Sequence, residues 1–280
     1  MAVNTKWVMS VMEKFAPECL AYDNDNVGLL VGEQDAPISK VLVALELTND
    51  VLDEAIEVKA NLIVAHHPIM RNPIKRVTDE TLLGQKIIKL IKNEISLFVA
   101  HTNLDAAPGG VNDALFEILG LSNQEPLMIL PHAGRCEHIA SDSKISPSMG
   151  RIGELLAPMK TSELAAIVKK RLNLNTVNYV GDANKIISKV GICTGSGSSI
   201  DFIESAIEKG CDVLISGDVT HHNAQTALEL GIVLIDGTHY ATEAIITDVI
   251  ADKIKEAAIF ENIYIDIVKS TKQKSPLQQA

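Results

Sequence analysis

The sequence lacks several features by which common classes of protein are recognised. It has no uninterrupted apolar run of about eighteen residues, so we expect no membrane span. Its net charge is −11 at pH 7, and sequence-independent nucleic-acid binding, which needs an excess of lysine and arginine, is not expected. The opening stretch MAVNTKWVMSVMEKF contains Glu13 and Lys14 and has no cleavage pattern after it, which predicts an amphipathic helix rather than a signal peptide.

Cysteine is scarce and scattered. The four cysteines are Cys19, Cys136, Cys193 and Cys211, and no two of them form a C-x-x-C motif. This spacing argues against a zinc ribbon and against a disulfide-rich scaffold. We therefore expect reduced thiols and a cytoplasmic protein.

Two catalytic fingerprints are also missing. The sequence has no G-x-S-x-G motif, so acyl transfer through a serine nucleophile has no support. The turn TGSGSS (194–199) has no P-loop lysine, and Ile200 breaks the dinucleotide pattern G-x-G-x-x-G. Two interpretations of this turn stay open, a plain tight turn and an anion cradle at a helix N-terminus.

What is present is a globular composition, with 46% hydrophobic and 22% charged residues, arranged as alternating strands and helices. KVLVALE (40–46), NLIVAHH (61–67) and SLFVAH (96–101) are typical of strands. A helix capped by Thr48 lies between the first two, and a helix over 80–94 lies between the second and third. The pattern predicts an α/β fold with mostly parallel sheets covered by helices.

The same alternation recurs over residues 188–218, which predicts two similar lobes within a single 280-residue unit. Lobe one would span about residues 1–125 and lobe two about 126–280, with no inserted middle domain. The alternative, that all strand–helix–strand units look alike, stays open. Residues 121–150, rich in proline, are expected to be irregular, and the polar tail 270–280 is expected to fray.

Polar side chains gather just after the strands, where parallel sheets bind ligands. Three strand ends supply four histidines and two carboxylates: His66 and His67, then His101 and Asp105, then His239 and Glu243. A helix that begins near Thr238 would place His239 and Glu243 one turn apart on one face. A single histidine after a strand is more often an ordinary loop residue, but three such strand ends favour a metal site.

Imidazole and carboxylate suit zinc, iron, manganese, nickel or cobalt. Six ligands exceed the need of one ion, so we predict two divalent ions roughly 3.5–4 Å apart. His66 and His67 must then lie where the strand ends, because adjacent strand residues point to opposite faces. After a further strand, Asp218, His221 and His222 are either partners of the ligands or solvated loop residues.

These motifs resemble the Nif-three-like family of dinuclear-metal-centre proteins, whose members are labelled GTP cyclohydrolase I type 2 homologues. The similarity spans nearly the whole chain and rests on seven stretches: DNVGLLVG (25–32), AHHPI (65–69), AHTNLDAAPGGVNDAL (100–115), GRIGEL (150–155), TGSGSS (194–199), SGDVTHH (216–222) and HYATE (239–243).

The resemblance implies a two-lobed α/β fold, a toroidal homohexamer and a two-metal site. It assigns metal-ligand roles to five residues, which are His66, His67, Asp105, His239 and Glu243. Glu243 would bridge the ions. His101 would be an additional ligand or only line the site, and Asp218 and His222 would lie nearby with no defined role. In a hydrolase, His101 or a carboxylate would be the proton shuttle.

Two departures from the family pattern bear on the site. Thr238 stands where the family has glycine before the histidine of HYATE, and a β-branched residue disfavours a positive φ, so His239 is expected to be angled differently. Arg71 stands where an apolar or aromatic residue is common in the family. With Lys75 and Arg76, Arg71 either recruits an anionic substrate or belongs to a solvated loop.

Two functions follow from this reading. The first is a metal-dependent hydrolase of a nucleotide-like or other small anionic molecule, with the guanine preference coming from the resemblance alone. The second is a non-enzymatic hexameric protein that binds metal ions or regulatory partners. Both use the same ligands, and they differ in turnover.

Overall fold

The computed structural model describes residues 3–130, 136 and 146–278, and these residues form two compact units. The first unit contains residues 3–104, 136 and 246–274, and the second contains residues 105–130, 146–245 and 275–278. Residues 246–274, which lie in the second lobe by sequence, therefore belong to the first unit. Within the described residues, no helix is both long and apolar enough to cross a membrane.

The first unit is built around a five-stranded sheet with the order β1–β4–β3–β2–β11. Its strands are β1 (Gly28–Val31), β2 (Lys40–Ala44), β3 (Leu62–Ala65), β4 (Ser96–Val99) and β11 (Asp266–Lys269). Its helices are α1 (Thr5–Phe15), a short 3-10 helix (Glu18–Leu20), α2 (Asn49–Glu57), α3 (Leu82–Lys92) and α10 (Ile246–Phe260), and α4 (Thr102–Ala106) crosses into the second unit.

The centre of this sheet is parallel, as the sequence predicts. Strands β11, β2, β3 and β4 pair in parallel, and β1 joins the edge antiparallel to β4. Every residue of β3 and β4 is buried, which explains their unbroken apolar or small-residue sequences. Thr48 caps α2 by accepting a hydrogen bond from the Val51 amide, as expected from its position.

The second unit contains a six-stranded sheet with the order β5–β6–β8–β9–β10–β7. Its strands are β5 (Ser122–Ile129), β6 (Ser148–Lys160), β7 (Asn178–Val180), β8 (Ile186–Ile192), β9 (Val213–Ser216) and β10 (Val233–Asp236). Its helices are α5 (Val111–Leu119), α6 (Thr161–Arg171), α7 (Ile200–Glu208), α8 (His221–Leu230) and α9 (His239–Glu243).

This second sheet is mixed, which refines the expectation of mostly parallel sheets. Only β8, β9 and β10 run in parallel, and the outer pairings β5–β6, β6–β8 and β10–β7 are antiparallel. The sequence pattern recognises the central parallel strands because they are buried on both faces. The fold class, α/β with helices packed on two sheets, is as predicted.

Two local expectations were wrong. Residues 122–129 form β5 rather than an irregular segment, because Pro126 lies in an outer strand, where a missing amide donor is tolerated. The tail does not fray at its start: Ser270 Oγ donates a hydrogen bond to the buried Glu54, and Gln273 Oε1 accepts one from the Leu45 amide. Residues 131–135 and 137–145 of the same expected loop lie outside the described residues.

The structure also corrects the expectation of four reduced thiols. Cys19 and Cys136 form a disulfide, whereas Cys193 and Cys211 are free and buried. Because the two bonded cysteines are 117 residues apart, no short-range sequence motif predicts that they pair. The disulfide lies within the first unit.

Candidate metal centre

Three histidines of the first unit lie at the carboxyl ends of β3 and β4. One ligand atom from each of His66, His67 and His101 lies within 4.8 Å of the others. The ring centroids are 5.0 Å apart for His66 and His67, and 5.1 Å apart for His66 and His101. The imidazoles that the sequence predicted as neighbours therefore lie close together in the structure.

The backbone after β3 explains how two adjacent histidines reach the same region. Strand β3 ends at Ala65, and the amides of both His66 and His67 donate hydrogen bonds to the Leu45 carbonyl, at 3.0 and 2.8 Å. Since two consecutive amides share one acceptor, the chain has left the alternating strand geometry in which neighbouring side chains point to opposite faces. His66 is fully buried and His67 is half-buried.

The rings of His66 and His101 are oriented by hydrogen bonds at Nδ1. His66 Nδ1 donates to the Ala100 carbonyl at 2.8 Å, so Nε2 of the neutral ring is the candidate metal-binding atom. His101 Nδ1 lies 2.8 Å from Oδ2 of Asp25, a carboxylate–histidine contact typical of metal ligands and of proton-transfer groups.

Asp25 is the main site residue that the sequence reasoning missed. Its carboxylate also accepts hydrogen bonds from the amide and hydroxyl of Thr102, at 3.0 and 2.6 Å. Burial alone would raise the pKa of Asp25, but the hydrogen bonds from His101 and Thr102 outweigh it and hold the pKa well below its usual range. Asp25 lies just before β1 and His101 just after β4, and the antiparallel pairing of these strands cannot be derived from local pattern. In the sequence, Asp25 was therefore marked only by its place in the motif DNVGLLVG.

In the second unit, α9 presents its first and last residues as a pair. Nε2 of His239 lies 2.8 Å from Oε2 of Glu243, and Nδ1 of the same ring lies 2.6 Å from Oδ2 of Asp218. The pKa of His239 is raised to about 9, first by its hydrogen bond with Glu243, against the effect of burial, and further by Asp218. Asp218, predicted as a nearby polar residue, therefore orients His239.

Thr238 departs from the expectation drawn from its β-branched side chain. Its φ is +61° and its ψ is 146°, a region that glycine favours. Its hydroxyl accepts a hydrogen bond from the Ala241 amide and caps α9, and its own amide donates to Asp236. Thr238 thus adopts a positive φ despite its β-branched side chain, and α9 begins at His239, one residue after Thr238, as predicted.

Gly195, in the glycine-rich turn, makes room for Glu243. Its φ is +62°, and a Cβ on this residue would overlap Oε1 of Glu243. Its amide donates a hydrogen bond to Thr242 Oγ1, one residue before that carboxylate. The turn is therefore needed to accommodate a candidate ligand, a role that neither earlier interpretation of TGSGSS included.

Asp105 is buried, and its backbone is held in place by a polar network. The side-chain amide of Asn112 donates to the Asp105 carbonyl at 2.9 Å. Arg151, which is fully buried, pairs with Asp113 and donates to the Ala106 and Ala107 carbonyls. Fixing these carbonyls fixes the chain that carries Asp105, whose carboxylate lies within 4.8 Å of that of Glu243.

One predicted residue lies apart from this chemistry. His222 is exposed at the start of α8, and the contact given for its ring is with His221, at 5.5 Å between centroids. Thr220 caps that helix by accepting a hydrogen bond from the Asn223 amide. The position of His222 is that of a solvated residue at a helix start.

The imidazole cluster of the first unit could hold a metal ion. The first unit offers three imidazoles in one cluster, the nitrogen donors preferred by zinc, iron, nickel and cobalt. The second offers an imidazole and two buried carboxylates. Two carboxylates this close repel each other when both are ionised, and a divalent cation would offset that repulsion.

Comparison with known proteins agrees with these observations. The family described as Duf34/NIF3 (NGG1p interacting factor 3) matches residues 3–276. The GTP cyclohydrolase 1 type 2 homolog of Clostridium acetobutylicum is 38% identical over 245 residues, covering 87% of this chain and 86% of the relative. The protein of the same name from Clostridium perfringens is 36% identical over 271 residues, covering 97% of each.

A solved structure supports the same assignment. The crystal structure of Staphylococcus aureus protein SA1388 is similar with a TM-score of 0.88 and 29% identity, covering 99% of each chain. The matched residues include every motif on which the sequence-based resemblance rested. The chain belongs to the Duf34/NIF3 family.

Proposed function

We propose that this protein is a dinuclear-metal hydrolase of small anionic, nucleotide-like molecules. The observation that carries the proposal is the cluster of three imidazoles at the ends of β3 and β4, two of whose rings are oriented through Nδ1. In the proposal, five residues would hold two divalent ions: His66, His67, Asp105, His239 and Glu243. Zinc, iron, manganese, nickel and cobalt all suit this set of donors.

Two such ions, when bound, lower the pKa of a coordinated water and polarise the bond to be cleaved. The protein's own part is to orient the ligands and to move the proton. His101 accepts a proton at Nε2, and the ionised Asp25 stabilises the resulting imidazolium through Nδ1. If His101 is instead a further ligand, the same Asp25 contact orients it.

The family relatives support this proposal through their names alone. Those of the two Clostridium species are called GTP cyclohydrolase 1 type 2 homologs. For this chain we infer the broader class of hydrolysis, because no residue described above selects guanine. A cytoplasmic location stays a prediction from the sequence.

We also propose the toroidal homohexamer that the family resemblance implies. Six copies of a 30.2-kDa chain have a mass of about 180 kDa. Light scattering during size-exclusion chromatography measures this mass directly, and a monomer at working concentration would contradict the hexamer.

The test of the function combines metal analysis with turnover. Purified wild type is expected to contain about two divalent ions per chain and to hydrolyse at least one member of a nucleotide and phosphoester panel. His66→Ala and Glu243→Ala should lose metal and turnover together. His222→Ala, which alters an exposed histidine, is the matched control and should behave as wild type.

The outcomes separate the candidate functions. Two ions with no turnover would support the alternative, a non-enzymatic hexameric metal-binding or scaffold protein. No metal in the wild type, even after reconstitution, would contradict the dinuclear centre. His101→Ala should retain metal and lose turnover if His101 transfers the proton, and should lose metal if it is a ligand.

A further inference from the structure

A cavity of about 230 Å³ lies in the first unit beside the imidazole cluster. Its polar wall consists of His67, Glu46, Arg71 and Lys86, and the rest of its wall is apolar. His67 therefore faces both the cluster and this cavity. Lys75 and Arg76, which the sequence grouped with Arg71, are not part of the wall.

The charge of the cavity wall favours an anion. Arg71 and Lys86 are positive and Glu46 is negative, so the cations outnumber the carboxylate. Among the described residues, neither cation forms an ion pair. Lys86 Nζ donates one hydrogen bond, to the Leu47 carbonyl at 2.5 Å, which leaves two of its three donors for a ligand. Burial lowers the pKa of Lys86 while Glu46 opposes that change, so an added anion would favour the charged amine.

The loop that carries Arg71 is anchored at its start. The preceding residue, Met70, accepts a hydrogen bond at its carbonyl from Asn26 Nδ2, at 2.7 Å. The backbone amide of Asn26 in turn donates to Oδ1 of Asp25, the residue whose carboxylate contacts His101. One short segment, Asp25 and Asn26, therefore positions both the imidazole cluster and the loop of the cavity, so the two are arranged together before any ligand binds.

The volume limits what the cavity can hold. Sites for complete drug-sized ligands measure about 300–1,000 Å³. A cavity of about 230 Å³ is too small for a whole nucleotide, but it accommodates a phosphate group together with a small attached fragment.

We propose that this cavity is an anion subsite, in which Arg71, Lys86 and the apolar wall hold a phosphate group of the substrate beside His67. The proposal deepens the proposed function, on which it rests for the statement that the remainder of the substrate reacts at the metal centre. It names the substrate class as a small phosphorylated molecule.

The test measures binding of orthophosphate and phenyl phosphate to the full-length protein by calorimetry, with and without prior metal removal by chelation. Arg71→Ala and Lys86→Met should each weaken binding about tenfold or more, because each removes a charge-assisted hydrogen bond. Glu46→Gln should tighten binding, since it removes a negative charge from the wall. Lys75→Ala, an exposed cation outside the wall, should bind within about twofold of wild type.

Metal content of each variant is measured in parallel and should equal that of wild type. Misfolding could weaken phosphate binding in Arg71→Ala and Lys86→Met, but it cannot explain tighter binding by Glu46→Gln. Equal binding by wild type, Arg71→Ala and Lys86→Met, or binding that disappears with the metal and ignores these substitutions, would overturn the subsite and leave the metal centre intact. Binding that depends on Arg71 and Lys86, in a wild type that holds no metal as purified or after reconstitution, would support the subsite and contradict the proposed function.

Discussion

Gly195 combines a left-handed backbone conformation with close contact to Glu243, a candidate metal ligand. Its left-handed backbone and the overlap of a Cβ with Glu243 impose two separate penalties on any other residue. Gly210 in the same unit shares the positive φ, at +73°, but a Cβ there would meet no atom within 4 Å. The two glycines therefore separate backbone strain from displacement of the carboxylate.

We predict that Gly210→Ala lowers the free energy of unfolding by about 1 kcal/mol and leaves metal content unchanged. Gly195→Ala should cost more than this and should also reduce the metal bound per chain, because Glu243 must move. Urea denaturation and elemental analysis measure the two effects. Wild-type metal content in Gly195→Ala would show that Glu243 is not a ligand, or that it relocates freely.

Thr238 offers a second prediction at the residue scale. Replacing it by glycine relieves the positive φ, which costs a threonine about 1–2 kcal/mol, and loses a helix cap worth a few tenths relative to glycine. Thr238→Gly should therefore raise the free energy of unfolding by about 0.5–1 kcal/mol.

The control for this change is Thr220→Gly. Thr220 caps α8 through the same kind of hydrogen bond but has an ordinary φ of −83°. Its replacement should destabilise slightly, so the two variants are expected to shift the urea midpoint in opposite directions. A loss of stability in both would mean that Thr238 is not strained.

At the scale of elements, helix α2 is joined to the segment after β11 through Glu54. This buried carboxylate accepts hydrogen bonds from Ser270 Oγ, from the Thr271 amide at 2.9 Å and from the Thr271 hydroxyl at 2.7 Å. Burial would raise the pKa of Glu54, but these hydrogen bonds outweigh it and lower the pKa below its usual 4.5. The sequence indicated α2 but not its partner, which lies more than two hundred residues away along the chain.

Because the folded-state pKa is depressed, the contribution of Glu54 to stability is present above pH 4.5 and is lost as the pH falls through the folded-state pKa. We predict that Glu54→Gln lowers the free energy of unfolding by about 1–3 kcal/mol at pH 7, and that the difference from wild type shrinks below pH 4.5. Glu57→Gln, an exposed position on α2, should change stability by less than about 0.5 kcal/mol. A difference for Glu54→Gln that is constant with pH would contradict the assigned charge.

At the scale of the whole molecule, the disulfide makes a covalent link that sequence pattern did not suggest. It joins Cys19, in the 3-10 helix, to Cys136 across 117 residues. In the chain-entropy model, a link of this span lowers the entropy of the unfolded chain and so raises the free energy of unfolding by about 4–5 kcal/mol. The two remaining thiols are buried, and burial raises the pKa of Cys211 to about 11, so both react slowly in the folded state.

We predict that the denatured, unreduced protein contains two titratable thiols, and that mild reduction of the folded protein exposes two more that react quickly. Reduction should also lower the thermal midpoint of wild type. A Cys19→Ser, Cys136→Ser variant should already unfold at the lower midpoint and show no response to reductant. Four thiols before reduction would mean that the isolated protein has no disulfide.

The sequence alone determined the features that depend on short-range physics. Buried β-branched runs indicated β2, β3 and β4, Thr48 marked the start of α2, and the spacing of His239 and Glu243 placed them on one helical turn. The candidate ligands followed because polar residues after parallel strands gather at one edge of the sheet. The strands, the cap and the helical pair each depend only on the chain within about a dozen residues.

Only the tertiary structure decided which distant residues support those ligands. Asp25 reaches His101 across 76 residues because β1 pairs with β4, and Glu54 reaches Thr271 across 217 because β11 pairs with β2. Strand pairing depends on packing among many segments, so no local pattern specifies it. For the same reason, the cavity formed by Arg71 and Lys86 becomes visible only once the loop after β3 and helix α3 are folded together.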